Sequence, residues 1–90
     1  MKFAHKGLRA LFERDRARGL PPNLVPRIRR ILADLEVAER PGDLDLPGYR
    51  LHPLRGDRAG QWSIRVSANW RIVFRFDGAE AVGVELTDYH

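Results

Sequence analysis

The spacing of apolar residues changes once along the chain, and this change limits the fold more than any other feature of the sequence. Before the middle of the chain, apolar residues recur every three or four positions, whereas from Trp62 onward they recur every second position. A helix buries one stripe and a half-buried strand buries one face, so each part needs the other as a packing partner. We therefore expect an α+β fold, with two N-terminal helices packed on one face of a twisted antiparallel sheet of three to four strands.

Two amphipathic helices are predicted before the strands. The first runs from about 6 to 18 and is closed by Gly19, a residue type common at helix ends. The second runs from about 23 to 39, with Asn23 as its N-cap and Pro26 in its first turn, where a missing N–H costs little. The apolar stripes are formed by Leu8, Leu11 and Phe12 in the first helix and by Leu24, Ile28, Ile31, Leu32, Leu35 and Ala38 in the second.

The strands are predicted in the second half of the chain. Alternation indicates a hairpin of 62–66 and 70–76 joined by the connection 67–69, followed by a last strand that reaches the C-terminus. An earlier strand is expected at about 50–54. The apolar face is expected to contain Trp62, Ile64, Val66, Trp70, Ile72, Phe74 and Phe76 from the hairpin and Val82, Val84 and Leu86 from the last strand. The opposite face of the sheet is then free to contact water.

Positive charge is concentrated in the middle of the chain. The formal net charge is +4, but residues 46–76 carry six arginines and one acidic residue, while residues 77–90 carry four acidic residues and no basic ones. Arg65, Arg71 and Arg75 alternate with the apolar positions, so the outer face of the sheet is predicted to be wet and basic. Guanidinium groups bind phosphates with paired hydrogen bonds, which makes a polyanion the expected partner. The six arginines are Arg50, Arg55, Arg58, Arg65, Arg71 and Arg75.

The composition excludes several classes of protein. The 90 residues are enough for a single domain, 1–90, and hardly for a second lobe that encloses a substrate. The chain contains no cysteine, no glycine-rich phosphate loop and no zinc-protease or serine-hydrolase motif, so no metal or other cofactor is expected. The longest apolar run is three residues, which argues against a membrane span and favours a soluble, cytoplasmic protein.

Two clusters contain residues suited to catalysis. His52 lies between Arg50 and Arg55, and the chain ends with Asp88-Tyr89-His90. Cleavage of RNA needs a base for the ribose 2′-hydroxyl, an acid for the leaving 5′-oxygen and positive groups near the phosphorus, and imidazole and guanidinium groups supply all of these without a metal. Each residue also has a structural alternative, because a histidine beside proline is often a packing residue and a charged strand end is often merely solvated.

Four blocks of the sequence resemble HigB-type toxins of the RelE superfamily. These blocks are 48–57, 60–63, 69–76 and the terminal tripeptide 88–90, and the likeness extends over nearly the whole chain. The resemblance implies the toxin of a bacterial type II toxin–antitoxin system. Such a toxin is an mRNA interferase, an endoribonuclease that cuts translated mRNA in the A site of the 30S ribosomal subunit. It also implies a cognate HigA-like antitoxin, a toxin that is monomeric when free and a hetero-oligomer of the two proteins.

The resemblance also assigns site residues. Arg55 stands where the family often has lysine, and arginine keeps the charge but is a poor proton donor. In the implied mechanism, His52 and His90 act as general base and acid, while Tyr89 orients or stacks on a base of the RNA. Asp88 fixes an imidazole tautomer. The implied catalytic residues are His52, Arg55, Asp88, Tyr89 and His90, and the implied phosphate-binding residues are Arg50, Arg65, Arg71 and Arg75.

Two other functions are compatible with the same fold class. ParE-type toxins resemble this superfamily in architecture but inhibit DNA gyrase by binding, and a non-catalytic RNA-binding regulatory module is a third interpretation. The set formed by His52 and Asp88-Tyr89-His90 favours the interferase, because a gyrase inhibitor has no evident need for it.

Overall fold

A computed structural model describes residues 1–88, in which two α-helices are followed by a four-stranded antiparallel sheet. The strands follow chain order across the sheet, so each strand pairs with its sequence neighbour. The helices pack on one face of this sheet, as the change in apolar spacing predicted. The elements are α1 (Lys6–Arg14), α2 (Val25–Val37), β1 (His52–Pro53), β2 (Trp62–Arg65), β3 (Trp70–Asp77) and β4 (Glu80–Asp88).

Helix α1 is shorter than predicted, because it ends at Arg14 and not near position 18. Asp15 adopts a left-handed conformation with φ of 56°, and the next N–H, that of Arg16, bonds back to the carbonyl of Ala10 at 3.2 Å. This arrangement terminates a helix in the way that a C-terminal glycine does. The predicted closure at Gly19 is therefore wrong, and Gly19 lies in a separate turn in which the N–H of Leu20 bonds to the carbonyl of Ala17 at 3.1 Å.

The start of α2 also differs from the prediction. A short 3-10 turn, Pro22–Leu24, precedes the helix, and α2 begins at Val25 without a side-chain cap. The predicted cap by Asn23 is wrong because the fixed backbone of the preceding prolines draws Asn23 into this turn, where the N–H of Leu24 bonds to the carbonyl of Pro21 at 3.0 Å. The predicted stripe is confirmed, with Ile28, Ile31, Leu32 and Leu35 buried.

The hairpin of β2 and β3 has the predicted apolar face. Ile64 pairs with Ile72 and Trp62 pairs with Phe74, which places these side chains on the helix-covered face of the sheet. The connecting loop is held by Ser67, whose Oγ accepts hydrogen bonds from the N–H groups of Asn69 and Trp70. Ile64, Ile72 and Phe74 are completely buried, so they form the centre of the core.

A β-bulge at Gly83 interrupts the predicted alternation of β4. The pairing shifts by one residue between Val73 and Arg75, and Gly83 has φ of 62°, a conformation that favours glycine. As a result Val82 pairs with Arg75 on the outer face and does not join the core, contrary to the prediction. The prediction that the outer face is solvated is only partly confirmed, because Val82, Val73 and Ser63, which lie on that face, are buried.

Residues before α1 cover the free edge of β4. Phe3 forms a parallel bridge with Val84, flanked by backbone hydrogen bonds that join Lys2 to both Ala81 and Val84. This segment adds a fifth stretch of extended chain that the sequence did not predict. Neither α-helix in the described part of the chain has the length and apolarity needed to cross a bilayer.

Candidate functional site

The outer face of the sheet carries two rows of side chains that run across the strands. Directly opposed residues of antiparallel strands lie on the same face, so the register identifies each row. In one row, Arg65 pairs with Arg71, which pairs with Thr87. The neighbouring row consists of His52, Ser63, Val73 and Glu85.

Two adjoining grooves follow these rows and share Leu54, Ser63 and Arg71 as lining residues. The larger groove has a volume of about 380 Å³ and the smaller one about 190 Å³. We call the two together the outer groove. It carries side chains from all four strands of the sheet, which suits a strand of a polymer better than an enclosed small molecule. The larger groove is also lined by Arg50, Leu51 and His52, and the smaller one by Arg58, Val73, Thr87 and Asp88.

The opposed arginines of the outer face are the clearest electrostatic feature of this site. Arg65 and Arg71 are direct cross-strand partners, so two guanidinium-bearing side chains stand side by side on the outer face. Arg71 is oriented by the hairpin loop, because its Nη1 donates a hydrogen bond to the carbonyl of Ser67 at 3.0 Å. The pairing therefore concentrates positive charge beside the groove.

Backbone strain lies next to His52. Arg50 has φ of 48°, a left-handed conformation that costs a non-glycine residue about 1–2 kcal/mol. The kink shortens β1 to His52–Pro53, where the sequence predicted a strand of about 50–54. Sheet-like hydrogen bonds continue on both sides of the kink, from Arg65 N–H to the Tyr49 carbonyl and from Leu54 N–H to the Gln61 carbonyl. Non-glycine residues in strained conformations concentrate at functional sites, and here the strained residue lines the groove.

Helix α2 anchors the chain on which Arg50 and His52 stand. Arg27 Nη2 donates hydrogen bonds to the carbonyls of Gly48, at 2.7 Å, and of Arg65, at 2.8 Å. Its guanidinium also lies 5.5 Å from the ring centre of Tyr49. One arginine therefore ties the segment before β1 to the end of β2. The sequence signal for this role is its spacing, since Arg27 lies three residues after Leu24, on the apolar stripe of the helix.

Tyr49 makes a second link between the same segment and α2. Its side chain is buried, and its hydroxyl donates a hydrogen bond to Asp34 Oδ2 at 2.5 Å. Burial, assisted by the hydrogen bond to the carboxylate, raises the pKa of Tyr49 from 10.0 to about 12. The residue before strained Arg50 is thus fixed by both burial and a charged hydrogen bond.

An ion pair joins Arg58, which lines the smaller groove, to Glu85 on β4. Arg58 Nη1 donates to Glu85 Oε1 at 2.9 Å and to Gln61 Oε1 at 3.4 Å. Sequence reasoning counted Arg58 among the basic residues of the middle region but did not select it as a site residue. The partner carboxylate, 27 positions further along the chain, cannot be found from local pattern alone.

The predicted site residues are distributed unevenly around this groove. Arg50, His52, Arg71 and Asp88 line it, and Arg65 lies in the Arg71 row. Arg55 is exposed at the start of a 3-10 turn, Gly56–Arg58, and does not line either groove. Arg75 is exposed beside Gly83, beyond the bulge. The predictions for Tyr89 and His90 lie outside the described residues. Within residues 1–88, no cluster of three or more His, Cys, Asp or Glu side chains is arranged to hold a metal.

Comparison with known families places this arrangement in context. The model for HigB-like toxins, the RelE-like toxin of the type II toxin–antitoxin system HigB, matches residues 1–90. The chain belongs to the HigB-like toxin family. Membership in this family means that the protein is the toxin of a type II system and has an antitoxin partner. The resemblance stated from the four sequence blocks is thereby confirmed.

Named relatives agree with the HigB assignment. Endoribonuclease HigB of Proteus vulgaris is 47% identical over 88 residues, which cover 98% of this chain and 96% of that protein. Toxin HigB-1 of Vibrio cholerae serotype O1 is 33% identical over 91 residues, covering 99% and 92% of the two chains. The crystal structure of a YafQ mutant from E. coli superimposes with a TM-score of 0.58 at 16% identity, covering 97% of this chain and 89% of that one. This structural likeness concerns the fold and confirms the predicted α+β architecture.

Proposed function

We propose that this HigB-family toxin is an endoribonuclease that binds a single strand of mRNA along the outer groove and cleaves it by general acid–base catalysis. The observation that carries the proposal is the meeting of His52, Arg50 and Arg71 at one groove on an exposed sheet face. An imidazole and two guanidinium groups are the residue types that transesterification of RNA requires. The name of the Proteus vulgaris relative, Endoribonuclease HigB, supports the same activity.

In the proposed reaction, a base removes the proton of the ribose 2′-hydroxyl and the 2′-oxygen attacks the adjacent phosphorus. The bond from phosphorus to the 5′-oxygen breaks, and an acid protonates that oxygen. The products are a 2′,3′-cyclic phosphate and a 5′-hydroxyl end, and the reaction as written consumes no cofactor. His52 and His90 share the roles of base and acid, while Asp88 fixes the tautomer of an imidazole.

The arginines stabilise the charge that develops on the phosphate oxygens. Arg71 is held by the Ser67 carbonyl beside the groove, and Arg50 is presented by the strained backbone before β1. Such preoriented donors cost little reorganisation during the reaction, which makes them effective in the transition state. Arg55 supplies further positive charge, and Tyr89 orients or stacks on a base of the substrate. Arg65 and Arg75 extend the basic surface along the bound strand.

We further propose that the substrate is mRNA presented in the A site of the 30S ribosomal subunit. The groove is bordered by arginines, so it suits a strand whose path is fixed by another structure. The chain 1–90 is then one RelE-like toxin domain, cytoplasmic and monomeric when free, which forms a hetero-oligomer with a HigA-like antitoxin. Light scattering during gel filtration, with and without the antitoxin, tests the oligomeric states.

The test of the function is primer extension on a message translated in a cell-free system. The protein is compared with a His52→Ala/His90→Ala double variant and with a reaction that lacks ribosomes. Cuts within translated codons that disappear in the double variant and without ribosomes support the proposal. Intact message with the wild-type protein would refute it and would direct attention to gyrase inhibition, whereas RNA binding without any cut would favour the non-catalytic module.

A further inference from the structure

The Arg58–Glu85 ion pair places a carboxylate, in addition to that of Asp88, beside a groove lined by several arginines. In this pair, 47% of the Arg58 side chain and 28% of the Glu85 side chain are exposed, so both remain accessible to a bound strand. Thr87 also donates a hydrogen bond to Glu85 Oε1, at 3.4 Å, which helps to hold the carboxylate next to Arg58. An arginine that lines the groove is therefore already engaged by an internal anion.

Glu85 lies far across the sheet from His52. Glu85 and His52 share a row of the sheet but stand on the outermost strands, β4 and β1. Three strand spacings of about 4.8 Å put them about 14 Å apart across the sheet. At that distance, Glu85 does not contact His52.

We propose that Glu85 limits the affinity of the outer groove for RNA by occupying Arg58, which otherwise binds a backbone phosphate of the substrate strand. The inference rests on the proposed function, because it names a further contact in the same groove. An exposed ion pair of this kind has a small net stability, so a phosphate competes with the carboxylate for the guanidinium. The resident carboxylate thus keeps RNA binding weaker than the number of groove arginines permits.

The test is fluorescence anisotropy with a labelled single-stranded RNA that is methylated at its 2′ oxygens, so that it binds without being cut. The decisive variant is Glu85→Gln, which removes the charge but retains an oxygen that can accept from Arg58. Glu13→Gln is the matched control, because it removes one carboxylate from an exposed pair with Arg9 (3.1 Å) in the helix layer. The double variant Arg58→Gln/Glu85→Gln then tests whether Arg58 carries the effect.

We expect Glu85→Gln to bind the RNA about three- to tenfold more tightly at about 50 mM salt. Releasing one arginine to a phosphate should also steepen the dependence of log affinity on log salt by about 0.7. Glu13→Gln should bind within about twofold of the wild type. The double variant should lose the gain.

The possible failures have distinct meanings. If the wild type binds the RNA and Glu85→Gln binds it with equal or lower affinity, the inference is overturned and the proposed function is left in place. The inference is also overturned if the double variant keeps the higher affinity, because Arg58 is then not the residue that binds the phosphate. It is overturned as well if Glu13→Gln gains as much affinity as Glu85→Gln, because the effect is then one of net charge. Absence of binding by all four proteins overturns the inference, whereas the proposed function is decided by the primer-extension test on ribosomes.

Discussion

Replacing Tyr49 with phenylalanine should destabilise the protein in a way that depends on pH. The substitution removes the hydroxyl that donates to Asp34 Oδ2 at 2.5 Å and leaves that carboxylate short of one donor. A hydrogen bond to a charged group contributes about 1.5–3 kcal/mol, so the free energy of unfolding should fall by about 2 kcal/mol at neutral pH.

The pH dependence follows from the raised pKa of Tyr49. The phenol ionises near pH 10.0 in the unfolded chain and near 12 in the folded protein. Its contribution to stability is therefore complete below about pH 9, and it is lost as the pH rises through this interval, because ionisation favours the unfolded state. For a shift of this size, the loss at about pH 11 is about 1.3 kcal/mol. The phenylalanine variant lacks this group, so its free energy of unfolding does not fall in this way. The difference in free energy of unfolding between the two proteins should therefore narrow by about 1.3 kcal/mol between about pH 9 and 11.

Urea unfolding followed by the fluorescence of Trp62 and Trp70 measures both effects. All other titratable groups are common to the two proteins, so the difference between them reports Tyr49 alone. A gap that stays constant between about pH 9 and 11 would refute the reasoning, because it would mean that the folded protein does not shift the ionisation of this phenol.

Three further substitutions test the packing and the charge of the site. Arg27→Met should lower the free energy of unfolding by about 2–3 kcal/mol, because it removes the hydrogen bonds to the Gly48 and Arg65 carbonyls. Its control is Arg29→Met, which breaks an exposed ion pair with Asp15 and should lower the free energy of unfolding by less than about 1 kcal/mol in the same urea titration. Gly83→Ala should lower the free energy of unfolding in that titration by about 1–2 kcal/mol, because alanine is strained at φ of 62°. Gly42→Ala serves as its control, because Gly42 has no such backbone constraint. Arg71→Gln should reduce the single-turnover rate of message cleavage about 100-fold, with partial recovery in Arg71→Lys, if Arg71 stabilises the reacting phosphate. Equal rates for Arg71→Gln and the wild type would remove that role.

The periodic features of the fold were predictable from the sequence, whereas the features set by single backbone conformations were not. The stripe of α2 and the inward face of the hairpin follow from spacing, and their buried residues are as predicted. The early end of α1 depends on one left-handed aspartate, Asp15, a residue type that the pattern gives no reason to read as a terminator. The bulge at Gly83 lies within a run of alternating apolar residues, so it moves Val82 to the outer face without changing the apolar period that the sequence shows.

The site was predictable where residue chemistry and family resemblance coincided. His52 and Arg71 were selected from the sequence and line one groove in the structure, while their catalytic roles stay proposals. Arg27 and the Arg58–Glu85 pair were missed because their partners are brought together by the fold across 21 to 38 positions of the chain. Local spacing places Arg27 on the apolar stripe but does not identify the partners of either arginine.

The most direct test of the central claim compares two histidine variants in the cell-free cleavage reaction. His52→Ala removes the imidazole of the outer groove, whereas His5→Asn alters the histidine that caps α1 and keeps a side chain able to accept from the Leu8 N–H. A general acid or base contributes about 100- to 10,000-fold to a rate, so His52→Ala should cut the message at least about 100-fold more slowly than the wild type. His5→Asn should cut at a rate within about twofold of the wild-type rate. Equal cleavage by His52→Ala and the wild type would contradict the claim that the outer groove is the catalytic site.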